Sequence, residues 1–397
     1  MVKVPEPLDF PQTAVDSIPP DGVAAIAEIL RSGNLFRYGE TGGIGSNVAK
    51  LEQQFAQMHG KRYAIAVNSG GCAIFLALVA AGVTPGETVM MNAFTLAPVP
   101  GAIEHCGAEV ILLDTGDDLA IDLESLQHAV KTTGSRVLLL SYMRGHIPDM
   151  DEILKIVEDN NLVLIEDCAH VLGAKWKGHA MGTLGSVSCF SLQTYKQVNG
   201  GEGGMILTDD ADIAARSILM SGSYMLYGQH LAGPDEEVFS KWAAITPNYS
   251  MRLNEMSAAA VLSQLPILQQ RIEKWNSIHD RIAGGISSIE GLEVPNVSRM
   301  IQPAPTSIQF IAQHTISEIT SAISTANSLG LELKWFGDEA AKGFTSHHGH
   351  WSYLPSQTLE STDSLMKKLL DIRLPSTLSD EECDALLEIL KYAFSGN

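Results

Sequence analysis

Basic residues are in short supply in this chain: 26 lysines and arginines face 46 aspartates and glutamates, a net charge of −20 over 397 residues. A surplus of that size repels nucleic acid and anionic membrane surfaces, so small molecules are the expected partners. Cysteine is scarce too. Cys72, Cys106, Cys168, Cys189 and Cys383 are odd in number, show no CxxC or Cys/His metal spacing, and mostly lie in apolar runs, which reads as buried thiols in a reducing cytoplasm. The N-terminal MVKVPEPLDFPQ lacks the apolar core of a secretory signal, and the longest apolar run, AIFLALVAAGV, falls short of the ~20 residues a membrane span needs. No internal repeat or low-complexity tract is present. The expectation is a cytoplasmic protein with no membrane or nucleic-acid partner.

What the chain does contain is a series of short apolar runs rich in β-formers. They are AIAV (64–67), TVMM (88–91), VILLD (110–114), VLLLSY (137–142), LVLIED (162–167), VSCFSL (187–192) and GMILTD (204–209). Helix-patterned stretches such as AIFLALVAAG and MDEILKIVEDN separate the earlier ones, which predicts an α/β sheet buried on both faces. The last two runs are too close for a crossover helix, so one of them is expected to be antiparallel. Beyond Asp210 the texture changes. NEMSAAAVLSQLPILQQRIEKWNSIHDRI (254–282) reads as a connecting helix interrupted near Pro266, and a different α+β pattern follows. Residues 1–253 are therefore assigned to a large domain, and 254–397 to the connecting helix and a smaller one.

In open α/β sheets ligands lie at the carboxyl ends of the strands, so polar residues there are the first candidates. LVLIED ends in Glu166 and Asp167, carboxylates that either cap a helix or face a ligand. VNSGGCAIFLAL runs from a strand through Ser69, Gly70 and Gly71 into a helix, offering bare amides to a phosphate or simple capping. Ser191 precedes Lys196 by five residues, and Lys196 is followed by the cluster Gly200, Gly201, Gly203 and Gly204, where glycine permits a tight turn. A phosphate site, a carboxylate and an amine at one sheet edge match the needs of pyridoxal phosphate. The amides hold its phosphate, the carboxylate keeps the pyridine nitrogen protonated, and the lysine bonds its aldehyde.

With these blocks in view the chain resembles the DegT/StrS-type aminotransferases, fold-type-I pyridoxal-phosphate enzymes that aminate keto-sugars and cyclitols. The likeness runs through about residues 25–285, in KLEQQFAQMHGKRYAIAVNSG, MRGHIPDMD, LIEDCAHVLGAKWKGHAMGTLGSVSCFSL, KQVNGGEGGMILTDD and MRLNEMSAAAVLSQL. It implies a mostly parallel seven-stranded sheet with helices on both faces and a smaller C-terminal α+β domain. It also implies a homodimer with shared active sites, an amino-acid donor such as glutamate or glutamine, and a ketone acceptor in biosynthesis. By the resemblance Lys196 carries the cofactor, Asp167 partners the pyridine nitrogen, His170 approaches the phenolic oxygen, and Ser69, Ser191 and the amides of Gly70 and Gly71 hold phosphate. Arg252 is implied on a loop reaching the other subunit's site.

Three positions depart from the family pattern. Gly71 replaces a threonine, Leu96 stands where an aromatic commonly stacks on the pyridine ring, with Phe94 as the candidate substitute, and Ser250 replaces an asparagine that contacts phosphate across the dimer. Substrate contacts are expected from the loops 33–43, 223–239 and 344–351. Arg37, Arg144 and Arg252 are the candidate cations, and Tyr38, His230, His347 and His348 the candidate hydrogen-bonding groups; Arg37, Tyr38 and Arg252 are taken as substrate residues. Few cations and three acids in 223–239 favour a free keto-sugar, cyclitol ketone or other small ketone over a nucleotide-linked sugar. No metal is expected, since His347, His348 and His350 lack an evident carboxylate partner in sequence. A sugar dehydratase of the same fold, which typically has histidine in place of Lys196, and a catalytically silent binding protein are the alternatives.

Overall fold

The computed structural model describes residues 4–39, 45–338 and 346–395. The ends of two of the expected substrate loops, at 40–43 and 344–345, lie outside the described residues.

Seven five-residue strands form the main sheet: β1 (Tyr63–Val67), β2 (Thr88–Asn92), β3 (Glu109–Leu113), β4 (Val137–Ser141), β5 (Val163–Asp167), β6 (Val187–Ser191) and β7 (Gly204–Thr208). Their order is β1-β7-β6-β5-β4-β2-β3, with β7 antiparallel to both neighbours and the remaining pairs parallel. Side chains alternate between two cores, as a pleated strand requires. Ala64, Ala66, Leu138, Leu140, Met205 and Leu207 join one core, while Ile65, Val67, Val137, Leu139 and Ile206 join the other. Both faces are dry, which is why the strands read as unbroken apolar runs.

Helices α1 (Pro20–Ser32) and α2 (Asn47–His59) precede the sheet, and α3 (Gly70–Ala80), α4 (Pro98–His105), α5 (Leu123–Thr133) and α6 (Met150–Asp159) are the crossovers. The sequence of α6 explains its place: Asp149 caps the amides of Asp151 and Glu152, and Met150, Ile153 and Ile156 bury one face. After the sheet come α7 (Ala211–Ser221) and α8 (Glu236–Trp242). The connecting helix is interrupted at Pro266, as expected. It comprises α9 (Glu255–Gln264), a single 3₁₀ turn at Leu265–Ile267, and α10 (Leu268–Ser287).

The C-terminal part has its own core under a four-stranded antiparallel sheet. Its strands are β8 (Leu292–Glu293), β9 (Ser307–Ala312), β10 (Lys334–Trp335) and β11 (Leu369–Arg373), in the order β8-β9-β11-β10. Helices α11 (Ile316–Ser328), α12 (Glu360–Met366) and α13 (Asp380–Ala393) complete it. The N-terminal segment, grouped with the large domain from sequence, runs along this smaller part. The Leu8 amide donates to the Leu329 carbonyl at 2.9 Å, and Leu8 and Phe10 pack on its core. A fourth apolar cluster of Phe94, Leu119, Met143, Phe336, Met366 and Leu369 joins the two parts beside the carboxyl ends of β2 and β4.

Candidate active site

A cleft of about 710 Å³ opens at the carboxyl ends of the parallel strands, between the main sheet and β10–β11. Of the sequence candidates, Ser69, Gly70, Gly71, Leu96, Arg144, Asp167, His170, Ser191 and Lys196 line it. They come from five separate places in the chain, so their meeting is a property of the fold.

The helix terminus is built by close approach. The Ser69 hydroxyl accepts from the Cys72 amide at 3.1 Å and caps α3, while helix geometry leaves the first amides, of Gly70 and Gly71, without an intrahelical acceptor. A Cβ on Gly70 would lie 2.9 Å from the Ser191 Cβ, and one on Gly204 only 2.3 Å from the Ser69 carbonyl oxygen. Glycine there lets β1, β6, β7 and α3 converge on one small concavity, a shape that suits an anion on a helix N-terminus.

Asp167, the last residue of β5, is 3% exposed. Its Oδ2 accepts from Ser141 Oγ at 2.6 Å, its Oδ1 accepts from the Ala169 amide at 3.2 Å, and Ser141 Oγ in turn accepts from Thr95 Oγ1 at 2.8 Å. Burial pushes the Asp167 carboxyl up, and these two donors, with the charge of Lys196, pull it back down. Glu166 points to the opposite face. Fully buried, it accepts from Tyr142 at 2.8 Å and from the amides of Gly182, Leu184 and Gly185, so it is a loop anchor and not a cleft residue.

Lys196 lies in the β6–β7 hairpin, which is closed by hydrogen bonds from Leu192 to Gly203, Thr194 to Gly201 and Gly200 to Leu192. Its Nζ is 3.1 Å from His170 Nε2. Desolvation, and then the charge of Arg144, lower the amine to about 7, with Asp167 opposing and Arg373 adding to the fall. Burial and the surrounding cations also hold His170 well below its ordinary value, so the imidazole is neutral and free to accept from the amine. A partly neutral, desolvated lysine beside a neutral histidine is a nucleophile ready for a carbonyl.

Other candidates fall elsewhere. Arg37 and Tyr38, read from sequence as substrate residues, are instead buried at 2% and 7% exposure and do not line the cleft. Arg37 makes a two-point ion pair with Glu52 at 2.6 and 3.0 Å, and Tyr38 meets His230 Nε2 at 2.7 Å while His230 Nδ1 approaches Glu52 at 3.0 Å. The two terminal nitrogens of Arg37 and the Tyr38 hydroxyl are engaged inside the fold. Phe94 is likewise committed to the inter-part cluster, edge-on to Phe336, while Leu96 lines the cleft wall with Ile74 and Val99. Ser250, in a positive-φ conformation, bonds Asn248, and Arg252 donates to the Gly222 carbonyl at 2.9 Å; neither lines this chain's cleft. His347 and His348 do have a carboxylate partner, Asp363, at 3.7 and 2.7 Å, which their spacing did not reveal. Sequence reading also missed Ser141, Lys334 and Arg373. Ser141 ends a parallel strand, the signal that had found Asp167, whereas Lys334 and Arg373 belong to the antiparallel sheet of the smaller part.

The sequence matches the DegT/DnrJ/EryC1/StrS aminotransferase family over residues 20–391. The chain belongs to this family. The family is one of pyridoxal-phosphate aminotransferases, and the cleft is this chain's candidate site. GDP-perosamine synthase of Caulobacter vibrioides is 32% identical over 242 residues, 61% of either chain. The spore coat polysaccharide biosynthesis protein SpsC of Bacillus subtilis is 26% identical over 388 residues, 94% of each. In three dimensions the 3-amino-5-hydroxybenzoic acid synthase aligns with a TM-score of 0.82 at 24% identity, covering 98% of this chain and 99% of the other, and shares its fold. Among the described residues no helix is long and apolar enough to cross a membrane.

Proposed function

We propose that this member of the family moves an amino group from glutamate or glutamine to a small polyhydroxy ketone, a keto-sugar or cyclitol ketone. The reading rests on one observation above all: an amine lowered to about 7 stands 3.1 Å from a neutral imidazole, in a cleft whose floor carries a buried carboxylate and an uncapped pair of helix amides. These groups fit pyridoxal phosphate in number, charge and order. Gly70, Gly71 and Ser191 would hold its phosphate, Asp167 its pyridine nitrogen, and Lys196 its aldehyde carbon. When bound, the cofactor supplies an electron sink that makes the donor's α-hydrogen acidic.

The chain's own groups do the rest. Lys196 Nζ would be the base towards the donor's α-proton and the acid that gives a proton to the carbon on the other side of the intervening nitrogen. Its low basicity is needed for this, since an amine of ordinary pKa would stay protonated near neutrality. His170 accepts from Nζ and fixes its direction. Ser141 and Ala169 donate to the Asp167 carboxylate and oppose part of the rise that its burial imposes, with Thr95 bonded to the Ser141 hydroxyl behind it. Leu96, Ile74 and Val99 line the same cleft and keep water from the reacting carbon.

A homodimer completes the proposal. Phe36, Tyr224, Met225, Ile245 and Tyr249 are exposed apolar side chains, Met225 to 85%, and Arg252 lies 5.5 Å from the rings of Phe36 and Tyr224. That surface supports a second copy docking there with Arg252 reaching across. All five cysteines are unpaired, which supports a reducing, cytoplasmic setting. The test is a pair of single turnovers on purified holoenzyme. Glutamate or glutamine is expected to convert the bound cofactor to its amino form, and a panel of keto-sugars and cyclitol ketones to reverse it; no conversion with any amino acid would defeat the reading.

A further inference from the structure

Gln197, the residue after Lys196, is 1% exposed and does not line the cleft. Its Nε2 donates twice, to the His170 carbonyl at 2.8 Å and to the Ala304 carbonyl at 2.9 Å. Both acceptors are backbone oxygens, so only the nitrogen of the amide can face them, and both of its hydrogens are used. The Oε1 is buried with no hydrogen-bond partner. An idle buried oxygen costs stability, so the use of this amide lies at its nitrogen end.

The two carbonyls come from distant stretches of chain. His170 sits in the turn that follows β5 and Asp167, a turn whose start is held to β6 by the Cys168 amide on the Cys189 carbonyl at 2.8 Å. Ala304 lies just ahead of β9, where the chain enters the smaller part. Gln197 itself belongs to the hairpin of Lys196, in which the Lys196 amide donates to the Gln193 carbonyl at 2.9 Å and the Asn199 amide to Gln264 Oε1 at 2.9 Å. One side chain therefore joins the backbone of the amine, the backbone of the imidazole and the approach to the smaller part. Lys196 Nζ meets His170 Nε2 at 3.1 Å through side chains that hang from those same two backbones. A shift of about half an ångström in either would break that hydrogen bond.

We propose that Gln197 is a positioning residue, which sets the His170 imidazole against the Lys196 amine and, through Ala304, ties that setting to the smaller part. The inference rests on the aminotransferase reading, in which this amine moves the proton, and adds to it a residue outside the cleft. A neutral imidazole that accepts from Nζ favours the charged amine, whose hydrogens are the stronger donors. Losing that acceptor lowers the amine's midpoint. Asp167 from β5, Arg144 beyond β4 and Arg373 from β11 also face the amine, and Arg144, Lys334 and Arg373 face the imidazole. These five groups are left untouched in every variant of the test.

In apoenzyme, the pH dependence of Lys196 acetylation by trace acetic anhydride, read by peptide mass spectrometry, gives that midpoint. His170→Ala is expected to lower it by about one pH unit, the worth of a hydrogen bond to a charged group. Gln197→Leu is expected to lower it as far and the double variant no further, because both remove the same contact; Gln197→Met, close in shape, stands in if the leucine variant fails to fold. In holoenzyme, Gln197→Leu is expected to slow the single turnover at saturating glutamate about tenfold, again one such hydrogen bond, with KM unchanged and with no effect once His170 is alanine. Additive shifts in the double variant overturn the proposal, as does a midpoint that His170→Ala moves and Gln197→Leu does not. A variant that unfolds at lower temperature while keeping the wild-type midpoint and rate also overturns it, since Gln197 would then serve the fold alone. Failure of glutamate to convert the wild-type cofactor, with the apoenzyme shifts intact, would instead count against the aminotransferase reading.

Discussion

Lys196 owes its reactivity to being dry and surrounded by positive charge, and both causes can be measured. An ordinary lysine gains neutral amine steadily up to pH 10; one lowered to about 7 is half neutral already at pH 7. Reconstitution of apoenzyme with pyridoxal phosphate is therefore expected to accelerate between pH 6 and 8 and level off above, as followed by absorbance. A rate still climbing through pH 9 would contradict the lowered value. Asp167 is expected to matter for chemistry more than for folding. Asp167→Asn keeps cofactor but raises the half-reaction barrier by about 3 kcal/mol, roughly a hundredfold in rate. Ser141→Ala removes the donor 2.6 Å from Asp167 and is expected to cost about tenfold in single-turnover rate, the worth of one hydrogen bond to a charged group. Wild-type single-turnover rates in either folded variant would remove that residue from the mechanism.

The elements themselves are pinned by contacts too tight for any added atom. A Cβ at position 204 would stand 2.3 Å from the Ser69 carbonyl oxygen, so Gly204→Ala is expected to push β7 away from the start of α3. Stability falls by about 1–3 kcal/mol, the usual range for overpacking, and cofactor affinity falls with it; unchanged affinity in an equilibrium titration would mean the terminus does not hold phosphate. Most of this level was legible in the sequence. All seven main strands were read to within one or two residues, because burial on both faces makes a parallel strand a continuous apolar run. Pro266 marked the break in the connecting helix because it cannot donate within one. Less legible was anything decided by a partner far along the chain. Nothing local in NLFRYGE shows that Arg37 will meet Glu52 in the interior, and nothing in LLDIRLPS shows that Arg373 will face Lys196 across the gap between the two parts. Asp363 is similarly silent about His348.

At the scale of the whole molecule, charge and shape act together. The chain carries a net charge of −20, while the few cations that enter the cleft meet there at close quarters. The buried Arg37–Glu52–His230 group is the main ionic device outside the cleft, and it bears on stability. Arg37 and His230 hold Glu52 at about 2, below its ordinary 4.5, even against full burial. A depressed carboxylate stabilises above its unfolded value, so this contribution is complete above about pH 4.5 and is lost as pH falls towards 2. Glu52→Ala leaves Arg37 buried and unpaired, an expected loss of about 3–5 kcal/mol in denaturant unfolding; a loss below 1 kcal/mol would show that the group relaxes into water. Assembly is testable by subunit exchange. Mixing inactive Lys196→Ala with inactive Arg252→Ala chains is expected to restore part of the activity, whereas a fully active monomer would exclude shared sites. The account as a whole turns on where the cofactor is bonded. Borohydride reduction of the holoenzyme followed by peptide mapping is expected to find the cofactor on the peptide containing Lys196, and finding it on another lysine, or on none after reconstitution, would contradict the account.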